Sequence, residues 1–124
     1  MKDLQQLKAY LRDFAEQRDW QQYHSPKNLA MALTVEAAEL LEQFQWLSEG
    51  QSKKLSAEQH QAVSDEIADI QVYLVRLADQ LDINILEAVA HKTKQNEQKY
   101  PADQVRGRAD KYTFYQTEDT KDEN

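Results

Sequence analysis

Cysteine is absent from the chain, and glycine and proline occur only twice each. Without thiols there can be no disulfide and no thiolate metal ligand. Scarce glycine and proline remove the punctuation of turn-rich β folds. The frequent Ala, Leu, Glu, Gln and Lys are straight-chain helix formers, so the composition predicts an all-α protein. No apolar run reaches the ~18–20 residues of a bilayer span, and the first residues lack a signal-peptide pattern. The expectation is a soluble, cytoplasmic protein with no membrane partner. Cations are also short: 15 Lys and Arg face 22 Asp and Glu, for a net charge of −7. Polymeric nucleic acid is held by clustered positive charge and is not an expected partner. A small phosphorylated ligand stays open, because a metal ion reverses the local sign.

What is present organises itself into four helical segments. A chain of 124 residues supports one domain with a modest core. The first segment, residues 3–20, places Leu4, Leu7, Leu11 and Phe14 at helical spacing. The second, 26–47, opens with Ser25 as N-cap and Pro26 at the first helical position, where a missing N–H costs nothing. Ser56-Ala57-Glu58-Gln59 has the form of a capping box and starts a third segment reaching Leu81. Asp82 or Asn84 caps a fourth that ends near Lys99, before Tyr100-Pro101. The link SEGQSKKL reads as a polar connection, and ADQVRGRADKYTFYQ as an irregular arm. The domain is expected to span residues 1–115, followed by an acidic, disordered tail at 116–124.

Acidic residues stand where apolar ones belong. At about 100° per residue, Leu29, Leu33, Leu40, Phe44 and Leu47 form one stripe on the second helix, and Glu36 falls about 20° from Leu29. Glu39 follows on the same flank. The third helix repeats the pattern: Val63, Ile67, Ile70, Leu74, Leu77 and Leu81 make the stripe, and Glu66, Asp69 and Tyr73 line its edge. An ionised carboxylate leaving water costs several kcal/mol unless compensated, and four together repel. A hard divalent cation answers both problems. No histidine follows either acidic pair at the E-x-x-H spacing of di-iron bundles, so an oxygen-only Mg²⁺ or Mn²⁺ site held by Glu36, Glu39, Glu66 and Asp69 is expected. The plainer alternative is a pair of solvated boundary acids on each helix.

Lys92 and Asn96 share one face of the fourth helix and suit a phosphate tail, unless they merely close a solvated helix end. RDWQQYHSPKN gathers Trp20, Tyr23, His24, Lys27 and Asn28 at a helix junction, and Trp46 ends the second helix. Aromatic planes with amide groups suit a nucleobase, although large aromatics at helix ends also serve as core lids.

The segments RDWQQYHSPKNLAMALTVEAAELLEQFQW, DEIADIQVYLVRLA and NEQKYP…KYT together resemble the MazG-like dCTP pyrophosphatase family, over nearly all of residues 3–115. The resemblance implies a four-helix protomer assembling as a dimer or tetramer. It implies Mg²⁺-dependent cleavage of a nucleoside triphosphate to the monophosphate and pyrophosphate, in house-cleaning of the nucleotide pool. By position it makes Glu36, Glu39, Glu66 and Asp69 metal ligands, with Glu39 taken as the base that activates water. Trp20, His24, Asn28, Trp46 and Tyr73 would hold the nucleoside, Lys92 and Asn96 the phosphates, and Lys111 and Tyr112 a closing or subunit contact. Vertebrate dCTP-selective members carry a histidine in the first helix where this chain has Leu11, which leaves the base preference open. Two rivals remain: the same chemistry on another or modified deoxynucleotide, and a non-enzymatic helical interaction module. Val35, Ala38 and Glu42, with residues 112–115, are the expected association surfaces.

Overall fold

The computed structural model describes residues 1–107, and every regular element among them is helical. In order these are α1 (Leu4–Gln17), a 3₁₀ turn (Gln21–Tyr23), α2 (Pro26–Glu42), α3 (Glu49–Ser52), α4 (Ala57–Gln80), α5 (Ile85–Lys99) and α6 (Ala102–Val105). The chain forms two compact units, one spanning Met1–Ile83 and one beginning at Asn84. Lys111, Tyr112, the rest of residues 112–115 and the tail at 116–124 lie outside the described residues.

Polar side chains set the helix starts. Asp3, Ser25 and Asn84 each accept a backbone N–H three residues on, and Ser56 and Gln59 form a reciprocal capping box. Such caps contribute roughly 1 kcal/mol each. The same chemistry corrects one expectation. The link after α2 is not irregular throughout, because Ser48 and Gln51 form a second reciprocal box and wind residues 49–52 into one helical turn.

Two helix ends are made without glycine. The α1 helix stops at Gln17, three residues short of expectation, because Asp19 turns left-handed at φ 53°. The Trp20 N–H then reaches back to the Ala15 carbonyl at 3.0 Å. The end of α4 is built alike: Asp82 also has φ 53°, and Ile83 donates to Ala78 at 2.8 Å. Aspartate tolerates this conformation better than most residues, which suits a chain so poor in glycine. The α2 helix also ends early, at Glu42. Residues 43–47 continue as tighter turns, with Phe44 donating to Leu41 and Leu47 to Phe44.

In the first unit α4 is the central rod, with α2 packed along it and α1 against it. Leu11, Ala15, Leu29, Val75 and Ala78 form its buried core, and Leu29 is 1 % exposed. Full burial of such a leucine is worth about 1.5–3 kcal/mol. The apolar stripe of α2 faces inward as expected. That of α4 does so only in part: Val63, Ile70 and Leu77 are half-buried, but Ile67 is 55 % exposed and Leu74 and Leu81 are also open, while Val75, Arg76 and Ala78 are buried. The helix is apolar on two sides, and periodicity could not tell which side α1 and α2 would cover.

In the second unit, Asn84 rather than Asp82 caps α5, and no residue of α5 is buried. No helix among the described residues is long and apolar enough to cross a membrane.

Candidate active site

The packing of α2 along α4 carries Glu36 and Glu39 toward Glu66. One carboxylate oxygen from each lies within 4.8 Å of the others. Glu36 Oε2 and Glu66 Oε2 are shut off from solvent with no hydrogen-bond partner among the described residues. These are acceptors facing acceptors, an arrangement that stands only if a proton or a cation lies between them. The proton affinity responds accordingly. Glu36 is pushed up to about 7, first by sharing a proton with Glu66, then by burial, then by Glu39 and the charge of Asp69. The orphaned oxygens and the absence of nitrogen or sulfur donors in the cluster fit a hard divalent ion. Asp69 is more exposed and stands outside the tight trio, though its charge reaches Glu36.

A pH dependence follows. Glu36 binds its proton more tightly folded than unfolded, where its value is near 4.5. Its contribution to the stability of metal-free protein is therefore complete below about 4.5 and is lost as the pH rises through about 7. A divalent ion competes with that proton, so its stabilising effect runs the other way. Thermal melts in EDTA should lose Tm across this interval, and the gain on adding millimolar Mg²⁺ should grow with pH. A Mg²⁺ gain equal at pH 5 and pH 8 would contradict the assignment.

Beside the acids, a cavity of about 290 Å³ is lined by Trp20, His24, Tyr73, Tyr10, Leu11, Phe14, Ala15, Val72 and Arg76, with Glu36 and Asp69 also on its wall. Phe14 meets Trp20 edge-on at 5.7 Å, and Trp20 meets His24 at 6.4 Å. The left-handed Asp19 is what swings Trp20 back onto α1 for these contacts. The guanidinium of Arg18 covers the ring of Phe14 at 3.5 Å.

The expected site residues thus divide. Glu36, Glu39 and Glu66 come together, and Trp20, His24, Tyr73, Glu36 and Asp69 share the cavity. Asn28 is not part of the lining: its amide donates to the Tyr23 carbonyl at 3.1 Å and ties the 3₁₀ turn to α2. Trp46 is 86 % exposed in the turns after α2 and is also absent from the wall. Lys92 and Asn96 lie one turn apart on exposed positions of α5, in the second unit.

Sequence reasoning missed Arg76. It is 3 % exposed and lines the cavity, donating from Nε to His24 Nδ1 at 3.4 Å and from Nη1 to Asp79 at 3.3 Å. Arg12 of α1 grips the same Asp79 through two bonds, Nε at 3.0 Å being one, and these bonds foremost hold that carboxylate below its usual range. His24 is held below its ordinary value, first by burial and then by the charge of Arg76. The signal was an R-x-x-D pair inside the apolar run QVYLVRLAD.

The first unit thus aims acids from two packed helices at one point, beside an aromatic cavity. The MazG-like family model matches residues 31–113, and the chain belongs to that family. Among its relatives, rat dCTP pyrophosphatase 1 is 38% identical over 115 residues and the human protein of that name 37%, in each case across 91% of this chain. The chain spans 66% of the length of those relatives. A solved pyrophosphatase from Archaeoglobus fulgidus DSM 4304 is similar in fold, with a TM-score of 0.75 and 44% identity, covering 78% of this chain and 91% of that one.

Proposed function

We propose that this protein is a nucleoside triphosphate pyrophosphohydrolase that splits a deoxynucleotide of the dCTP type into the monophosphate and pyrophosphate. One observation carries the reading: the aromatic cavity ends on Glu36 and Asp69, at the rim of the carboxylate cluster. A volume of about 290 Å³ lies near the lower bound for ligand pockets and admits a nucleobase beside the acids. A base stacked against Trp20 and Tyr73 therefore leaves its triphosphate at the acids. The names of the rat, human and archaeal relatives support the same chemistry.

Glu36, Glu39, Glu66 and Asp69 would hold Mg²⁺, with Mn²⁺ as substitute. When bound, the ion supplies positive charge that offsets the charge gathering on the pyrophosphate. Glu39 orients the attacking water and takes its proton. Trp20, Tyr73 and His24 hold the base, and burial keeps water from its edges. Lys92 and Asn96 serve the phosphates, one as a cation and one as an amide donor. The open Ile67, Leu74 and Leu41, together with Trp46, support association into a dimer or tetramer.

Incubation with dCTP and Mg²⁺, followed by chromatography, tests the reading. Appearance of dCMP and pyrophosphate in equal amounts is expected. No turnover across a panel of natural and modified triphosphates would leave a non-enzymatic helical module instead.

A further inference from the structure

The acid cluster and the aromatic slot need no arginine behind them, yet the fold buries one. Arg76 is sparsely satisfied there: Asp79 is shared with Arg12, and Nη2 has no partner among the described residues. A buried guanidinium so placed is a poor stabilising device. What it does accomplish is to fix an imidazole. A guanidinium has no acceptor, so the bond between Arg76 Nε and His24 Nδ1 requires Nδ1 to be the bare nitrogen. The single ring proton then sits on Nε2, and the edge left to a ligand is a donor. Burial and the neighbouring charge also keep the ring neutral. Both side chains line the cavity.

We propose that Arg76 is a positioning residue that sets base specificity: it locks His24 as a neutral Nε2–H donor. The cavity then selects nucleobases that offer a carbonyl oxygen to that edge over those that present an amino group there. This rests on the pyrophosphohydrolase reading for its class of ligand, a nucleotide, but not for its test. Two donors set against each other leave both unpaired, and a site built for an acceptor rejects its amino counterpart strongly.

Hypoxanthine and adenine, nearly equal in size, differ at C6, carbonyl against amino, and at N1, which carries a proton in hypoxanthine and is bare in adenine. Calorimetric titration with dIMP, dAMP and dCMP reads the preference without any turnover. Wild type should bind dIMP and dCMP at least about tenfold more tightly than dAMP. In Arg76→Met the ratio of dIMP to dAMP should fall to within about threefold, through weaker dIMP binding, and Arg76→Lys should lie between. Nitrogen-15 NMR of the imidazoles, with His24→Asn to assign the signal, should show Nδ1 bare and Nε2 protonated in wild type. It should show a tautomer mixture in Arg76→Met. A wild-type ring protonated at Nδ1, or at both nitrogens near neutral pH, overturns the proposal even if Arg76→Met fails to fold. So does an unchanged ratio in Arg76→Lys and Arg76→Met. Absent hydrolysis with the tautomer and binding ratio as stated would overturn the pyrophosphohydrolase reading alone.

Discussion

Glu39→Gln should lower kcat for dCTP by at least about 100-fold at saturating Mg²⁺, with little change in KM. General-base catalysis is typically worth about 10²–10⁴ in rate, and the amide keeps the shape of the side chain while losing its basicity. Glu39 sits mid-helix on α2 with its oxygen in the carboxylate cluster, and the exchange disturbs neither the Ser25 cap nor the Leu29 contact. Circular dichroism and Tm should therefore match or exceed those of the parent. Steady-state kinetics over a Mg²⁺ series separates the two roles given to this residue. A deficit repaired by raising Mg²⁺ identifies a ligand, whereas one that persists at saturation identifies the base. Retention of more than a tenth of kcat would remove Glu39 from the chemistry.

Glu36→Gln should move stability and activity in opposite directions. The carboxylate of Glu36 is under strain, its Oε2 buried opposite other acceptors and its proton held up to about pH 7. A glutamine brings two N–H donors to Glu66 and Glu39 and carries no charge, so the metal-free Tm at pH 8 should rise. The same change removes an anionic ligand from the centre of the cluster. Turnover should fall by about 100-fold or more, and the Tm gain on adding Mg²⁺ should largely vanish. Acids retained at a cost to the fold are the mark of a functional site. A variant that loses Tm and keeps a normal Mg²⁺ response would mean that Glu36 is a structural residue.

The parts of this protein legible in its sequence were those written in local chemistry. Ser25-Pro26 and the Ser56–Gln59 box announce their helices, Glu36 stands out by falling within a leucine-rich stripe, and Glu66 lies at the edge of the next helix's apolar stripe. Three things were not legible, each for a physical reason. The left-handed Asp19 and Asp82 end helices in place of glycine, and an aspartate after a helix usually signals nothing of the kind. The open side of α4 is as apolar as its covered side, so burial there depends on neighbours that periodicity does not name. Arg76 looks like a surface cation until Asp79 and His24 are found folded against it. Asn28 shows the converse: its residue type suits a base, but it does not line the cavity and one of its N–H groups goes to the Tyr23 carbonyl.

Hydrolysis of dCTP in ¹⁸O-labelled water, with both products weighed by mass spectrometry, tests the central claim most directly. The family resemblance, rather than the spacing of the acids, puts the proposed attack at the α-phosphorus, the one nearest the sugar, by water that Glu39 would activate. One labelled oxygen should therefore appear in dCMP and none in pyrophosphate. Label in pyrophosphate, or release of dCDP and phosphate, would mean that water attacks a different phosphorus and that the substrate does not lie as described.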